Sequence, residues 1–146
     1  MYSIRKAVHG DCALVASLAQ QLWPHHEPSE LEAEFAPLLT ASDAAVFLAF
    51  QEASPAGFAQ CQLRRDYVEG TDSSPVGYLE GIYVVPEFRK TGIARALLTA
   101  CEDWAKEKGC REFASDCELT NEESLRFHLN VGFCEANRII CFTKKL

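Results

Sequence analysis

The chain has 146 residues, 48% hydrophobic and 24% charged, a size and balance that fit one packed domain and exclude disordered and collagen-like classes. Fourteen Lys and Arg stand against 21 Asp and Glu, a formal net charge of −7 that repels polyanions. Nucleic acid is therefore a poor partner, and a cationic small molecule is a good one.

The seven cysteines form no C-x-x-C pair and have no His at metal-ligand spacing. They read as small apolar side chains of a reduced protein, with neither a zinc nor a disulfide framework and no metal expected. Met1 to Lys6 lacks the apolar core of a secretion signal, and no run approaches the roughly 18 apolar residues of a membrane span. A cytoplasmic protein without a membrane partner is expected.

Tyr2 to Ala7 predicts a first strand, and Asp11 an N-cap for the helix that follows. Leu14, Val15, Leu18 and Leu22 form its apolar stripe, and Pro24 must end it. Ser29 with Glu32 has capping-box spacing ahead of a second helix, whose face is Leu31, Phe35, Leu38 and Leu39, with Pro37 kinking or shortening it. Ala45 to Phe50 and Gly57 to Leu63 read as a hairpin turning at Ser54-Pro55-Ala56-Gly57. Tyr67 to Ser74 is a polar loop, and Gly77 to Val85 a long strand closed by Pro86. Thr91 to Lys108 carries Ile93, Leu97, Leu98, Cys101 and Trp104 at helical spacing before a capping Gly109. Glu112 to Ser115 then completes a β-α-β unit, parallel to the preceding long strand. Thr120 with Glu123 opens a last helix bearing Leu125, Phe127, Leu129 and Val131, and Arg138 to Thr143 is predicted as a closing strand.

The most informative stretch runs from Leu79 to Ala94, where a strand leads through Pro86-Glu87-Phe88-Arg89 into Arg89-x-x-Gly92-x-Ala94 at a helix start. Small residues there admit a ligand to the backbone, and the free N–H groups make a cradle for a pyrophosphate. Ordinary close packing of turn on strand would use the same residues. The spacing is neither that of a P-loop nor that of a dinucleotide-binding G-x-G-x-x-G turn.

This strand and turn resemble the acyl-CoA pyrophosphate motif of the GNAT superfamily of N-acyltransferases. Trp23-Pro24-His25-His26-Glu27, Tyr67-Val68-Glu69-Gly70-Thr71, Leu79-Glu80-Gly81-Ile82, Phe113-Ala114-Ser115-Asp116 and Gly132-Phe133 together are similar to the aminoglycoside 6′-N-acetyltransferases of that superfamily. The resemblance implies an α/β (α+β) GNAT fold over residues 1–146, one domain with a central mixed, largely antiparallel sheet flanked by helices. It implies acetyl-CoA as co-substrate, held by amides of Ile82, Tyr83 and Val84 and of Lys90, Thr91, Gly92, Ile93 and Ala94, with Arg89 and Arg95 beside them. Asn121 matches an Asn between donor and acceptor. Trp23, His26, Tyr67, Glu80 and Asp116 would line an aminoglycoside site, and a homodimer touching through its C-terminal segments is expected.

Acetyl transfer to an amine needs a neutral nitrogen, a polarised carbonyl and a thiolate that takes a proton. A primary amine is ammonium at neutral pH, so carboxylates suit both its capture and its deprotonation. Glu80 lies inside an apolar strand, either facing solvent or serving as ammonium ligand and base through water. Asp116 ends a strand, as a loop cap or as a second ligand or base, and the division of roles between the two acids is open. Trp23 and Tyr67 are core aromatics or walls of a sugar cleft; their polar flanks favour walls. An amide near Tyr83 is the candidate oxyanion donor. Two positions depart from the family pattern: His128 stands where many members carry a proton-donating Tyr, and Asn137 stands where some antibiotic enzymes carry an acid. His128 can donate to the thiolate, as can water. Asn137 remains a substrate-site candidate with one anionic contact fewer. The leading expectation is an aminoglycoside 6′-N-acetyltransferase conferring resistance, with Glu27 and Glu69 adding to the local field. A polyamine, a protein N-terminus or a lysine is the alternative acceptor.

Overall fold

The computed structural model describes residues 1–146. Its elements are β1 (Tyr2–Lys6), α1 (Cys12–Leu22), α2 (Pro28–Leu38), β2 (Ala44–Gln51), β3 (Ser54–Arg64), β4 (Val76–Val84), α3 (Ile93–Glu107), β5 (Phe113–Ala114) and α4 (Glu122–Asn130). The strands pair in chain order, antiparallel from β1 to β4 and parallel between β4 and β5. Only the last pair needs a crossover, and α3 provides it. This is the mixed, largely antiparallel sheet flanked by helices that the resemblance implied.

Each face of the sheet is covered by an amphipathic surface. Ile93, Leu97, Leu98, Cys101, Trp104 and Ala105 of α3, three or four residues apart, bury themselves against Ala59, Cys61, Leu79 and Val84. On the other face, Val15, Leu18 and Ala19 of α1 and Leu31 and Phe35 of α2 enclose Val46, Leu48 and Phe58. Phe58 is wholly buried and meets Trp23 and Phe35 edge-on, each at a centroid separation of 6.1 Å. Burying such a ring contributes about 1.5–3 kcal/mol. No charged side chain is buried in either layer.

Several local expectations are corrected. The β2–β3 turn is Glu52–Ala53, because Gln51 pairs with Ser54 and Glu52 takes a left-handed φ of 55°. Ser54 and Pro55 lie inside β3, where a register shift near Phe50 accommodates a residue with no N–H to offer. Ser29 and Glu32 form no capping box, since Pro28 already opens α2 behind Glu27 at no cost in helical hydrogen bonds. Asn121, not Thr120, caps α4, its side-chain oxygen accepting from the Ser124 N–H at 3.0 Å. Asp11 holds the N-cap position of α1 but caps nothing there. Its carboxylate instead accepts from the Val8 N–H at 2.8 Å and from both Nη groups of Arg5 at 2.8 and 2.9 Å.

The closing strand over Arg138 to Thr143 is not formed. Residues 134–146 carry no secondary structure, and Ile139, Ile140 and Phe142 are 68%, 79% and 87% exposed. A strand exists only with a ladder partner, and nothing in this chain pairs with the segment. The apolar side of α4 is open too, for the helix buries none of its residues completely and Leu129 is among the exposed apolar side chains.

Candidate active site

The site starts from an irregularity in β4. Gly81 faces Gln60 of β3 and Leu79 faces Cys61, so Glu80 is the extra residue of a β-bulge. In a regular strand, Leu79, Gly81 and Tyr83 would share one face. The bulge reverses that phase: Leu79, Ile82 and Val84 pack toward α3, whereas Gly81 and Tyr83 face α1 and α2. Gly81 is needed there, since a Cβ would stand 2.7 Å from Cη2 and 2.9 Å from Cζ2 of Trp23. Trp23, just past α1, thus sets its ring against the strand next to Glu80.

A gap opens on the opposite edge of β4. β5 pairs only at Gly77–Phe113 and Tyr78–Ala114, and from Leu79 onward that edge has no strand neighbour. Ile82, Tyr83 and Val84 lie along this uncovered stretch, with Ser115 Oγ reaching the Leu79 carbonyl at 3.5 Å. An extended ligand can take the place of the missing strand.

At the far end of β4 the chain turns into α3. Arg89 donates from Nε to the Val84 carbonyl at 2.8 Å, and Thr91 Oγ1 donates to the Phe88 carbonyl at 2.6 Å. Lys90 and Gly92 are left-handed, with φ of 64° and 88°, which explains a glycine at the second position. The N–H groups from Lys90 to Arg95 donate to no backbone carbonyl, and no side chain caps the helix. That leaves an open row of donors at the positive end of the helix, a fit for a pyrophosphate. Ile93 is wholly buried and offers only its amide, and Arg95 donates from Nη2 to the Asn130 carbonyl at 3.1 Å, tying α3 to α4.

Both predicted acids are at the divergence of β4 and β5, but neither stands alone. Glu80 accepts from Arg64 Nε at 3.1 Å and from Nη2 at 2.8 and 3.0 Å. Burial works most strongly against the Arg64 charge, but the hydrogen bonds and charge of Glu80, together with Tyr78 and Asp116, outweigh it and raise the guanidinium's pKa. The same guanidinium lies 3.4 Å over the Tyr78 ring, whose hydroxyl donates to Asp116 Oδ2. Burial first, and then the Asp116 carboxylate, push the Tyr78 pKa up, so the phenol keeps its proton.

Trp23 and His26 line one cavity with Leu31, Glu34, Phe35 and Gln60, next to the strand they flank. Tyr67 is 78% exposed and donates to Glu69 at 3.2 Å. Asn137 donates from Nδ2 to the other Glu69 oxygen at 3.2 Å, so the start of the C-terminal segment is fastened to the Tyr67 loop. Gly70 is left-handed there, and a Cβ on it would meet Ala136 at 2.5 Å. Tyr83 donates from its hydroxyl to Gln21 at 3.0 Å, and its backbone faces Phe58 of β3, so the groups of β4 turned to the open edge are those of Ile82 and Val84. His128 sits on α4 with Nδ1 2.7 Å from the Ser124 carbonyl and Nε2 2.8 Å from Ser115 Oγ. A carbonyl only accepts, so Nδ1 donates to Ser124, while the Ser115 hydroxyl lies between His128 Nε2 and the Leu79 carbonyl with one proton to share.

Arg64, Tyr78 and Ser115 escaped the sequence reading. Arg64 is 16 residues from Glu80 and Tyr78 is 38 from Asp116, so only strand register brings them together. The one available signal was a basic residue ending an apolar strand that faces an acid-bearing one.

A strand that bulges and parts from its neighbour, ending in an amide-lined turn at a helix start, defines the acyl-CoA-binding class of N-acyltransferase folds. Residues 13–133 match the acetyltransferase (GNAT) family, and the chain belongs to it. It is 43% identical over 128 residues to aminoglycoside N(6′)-acetyltransferase type 1 of Salmonella typhimurium strain LT2, covering 88% of each chain. It is 42% identical over 146 residues to the enzyme of the same name from Stenotrophomonas maltophilia, covering 99% of this chain and 94% of that one. The fold is similar to that of AAC(6′)-Iy in complex with the bisubstrate analogue CoA-S-monomethyl-acetylneamine, with a TM-score of 0.95, 39% identity and coverage of 100% and 99%.

Proposed function

We propose that this chain transfers the acetyl group of acetyl-CoA to the 6′-amino group of aminoglycoside antibiotics, acting as a resistance enzyme. The observation that carries this reading is β4, with two carboxylates and an aromatic wall where it parts from β5 and an amide-lined turn at its far end. Bound acetyl-CoA supplies an activated acetyl thioester, and the protein supplies binding and proton handling.

The amides from Lys90 to Ala94 would hold the pyrophosphate, with the Arg89 and Arg95 side chains close by. Ile82 and Val84 offer the β4 edge to the rest of the donor, and an edge-facing amide such as that of Ile82 polarises the acyl oxygen, since Tyr83 pairs with Phe58 of β3. Trp23, His26, Tyr67 and Asn137 surround the sugar. Glu80 and Asp116 draw in the ammonium, and Asp116, engaged only by a phenol, takes its proton. Asn121, committed to capping α4, orders the helix that carries His128. His128 Nε2 meets Ser115 Oγ, so proton delivery to the thiolate runs through that hydroxyl or solvent. Acetylating one amine removes a cationic contact with RNA phosphates, and with it the drug's affinity.

Residues 1–146 would act as one domain. The exposed Ile139, Ile140 and Phe142, the uncovered side of α4 and the free outer edge of β5 support a homodimer in which each C-terminal segment finds its ladder partner on a second copy. A cytoplasmic location is supported by seven free cysteines and by the site's fit to acetyl-CoA; no helix is long and apolar enough to cross a membrane.

The test is thiol release from acetyl-CoA with tobramycin and, in parallel, spermidine. Tobramycin turnover is expected, with Asp116→Asn lowering kcat by about a hundredfold, the range of a lost general base, while acetyl-CoA affinity is kept. No release above background with tobramycin would sink the reading.

A further inference from the structure

The two site acids are joined through residues with no assigned role. Arg64 ends β3 and places its fork on both Glu80 oxygens. The face of that guanidinium rests on Tyr78, and Tyr78 donates to Asp116. The row Glu80, Arg64, Tyr78, Asp116 therefore holds two carboxylates and one permanent cation. The side chains of Arg64 and Glu80 keep 39% and 18% of their exposure, so both remain within reach of a ligand in the cleft.

An amine acetyltransferase has two opposed electrostatic tasks. It must attract an ammonium, and it must then let that ammonium lose a proton, because only the neutral nitrogen has a lone pair for attack. Each uncompensated carboxylate beside the nitrogen helps the first task and hinders the second, since negative charge favours the protonated form. Two bare carboxylates would bind the substrate tightly and hold its proton in place.

We propose that Arg64 is a positioning residue that sets this balance: by neutralising Glu80 it leaves the acceptor site with one net negative charge, on Asp116, so that the bound ammonium is captured and still deprotonated. The inference rests on the amine-acetyltransferase reading above and goes beyond it, assigning separate duties to the two acids. Glu80 with Arg64 is a neutral polar wall that orients the ammonium, and Asp116 is the carboxylate that faces it with charge. Asp116 takes the first proton from the ammonium, and the neutral nitrogen then attacks; as the C–N bond forms and the C–S bond breaks, a second proton leaves nitrogen and the departing thiolate takes one up, through Ser115 or solvent. Arginine suits the duty better than lysine because its planar fork meets both Glu80 oxygens while its face stacks on Tyr78. The Tyr78 ring holds the fork in register, and its hydroxyl fixes Asp116 through one oxygen, leaving the other for the substrate.

The test is a steady-state comparison of wild type, Arg64→Gln, Arg64→Lys, Glu80→Gln and the double variant Arg64→Gln/Glu80→Gln, with tobramycin as acceptor. Wild-type turnover of tobramycin tests the substrate reading; only the variants test Arg64. Arg64→Gln is expected to lower kcat about tenfold and to lower the tobramycin KM as well, the signature of a ground state made too stable. Its acetyl-CoA KM should not move. Arg64→Lys keeps the charge but loses the fork and the stacking, so its kcat should lie between those of Arg64→Gln and wild type. The double variant removes one charge of each sign, so its kcat should recover above that of Arg64→Gln. A raised tobramycin KM with unchanged kcat in Arg64→Gln would mean that the arginine only steers Glu80, and would overturn the proposal. So would a double variant slower than Arg64→Gln. Should Arg64→Gln fail to fold, the sign is read between Glu80→Gln and the double variant. Removing the arginine must then lower the tobramycin KM, and equal constants would refute its electrostatic role.

Discussion

Gly81→Ala probes the wall of the acceptor site through one methyl group. The new Cβ would stand 2.7 Å from Trp23 Cη2, so the ring must move by about 0.7 Å to regain a 3.4 Å contact. Trp23 cannot absorb that by bending, because its indole is a rigid plate set edge-on to Phe58 at 6.1 Å. Phe58 is wholly buried against Phe35 in turn, so the displacement passes outward, toward the cavity that Trp23 shares with His26 and Gln60. Overpacking of this kind costs about 1–3 kcal/mol, shared between the folded state and the ligand contact. About 1.4 kcal/mol of lost ring contact raises the tobramycin KM roughly tenfold. Each kcal/mol of lost stability lowers Tm by about 4 °C. Calorimetry and thiol-release kinetics measure the two parts, and the acetyl-CoA KM should stay within about twofold because the Lys90–Arg95 amides lie at the other end of β4. Adding Trp23→Phe, which shortens the plate, should recover most of the lost Tm. An unchanged tobramycin KM with a fallen Tm would show that Trp23 is only a core residue.

Two other outcomes follow from the geometry. Hydrogen bonds from Arg5 hold the Asp11 carboxyl at about 2, below its ordinary 3.8, so Asp11 contributes stability that is present above pH 4 and is lost as pH falls through the folded value. Asp11→Asn should therefore unfold more easily than wild type in urea at pH 7, with the difference closing toward pH 2; a constant difference would exclude this linkage. Ile140→Asp puts a charge in the middle of the exposed C-terminal apolar run and should convert a dimer to a monomer in analytical ultracentrifugation. A wild-type chain that sediments as a monomer would remove the dimer reading.

What local sequence expresses well, it expressed here. The stripe from Ile93 to Ala105 is a helix because its apolar residues recur at the helical period, and the cradle before it was legible because Gly92 and Ala94 are small at a strand-to-helix turn. The errors share a different origin. Glu80 reads as one more residue of an alternating strand, and its place in a bulge emerges only from the register against β3. Pro and Gly usually mark turns, which points to a hairpin turn at Ser54 to Gly57, whereas pairing of Gln51 with Ser54 overrides that preference. Arg138 to Thr143 has strand-forming residues and no ladder partner within its own chain.

By itself the sequence determined what depends on each residue's own chemistry and near neighbours: the amphipathic faces, the amide-rich turn and the excess of carboxylates that suits a polycationic acceptor. The tertiary structure alone decided which of those carboxylates meets a guanidinium and which meets only a phenol. A carboxylate's effective charge depends on what lies within a few ångströms of it, and the guanidinium on Glu80 and the phenol on Asp116 arrive from distant parts of the chain through sheet register.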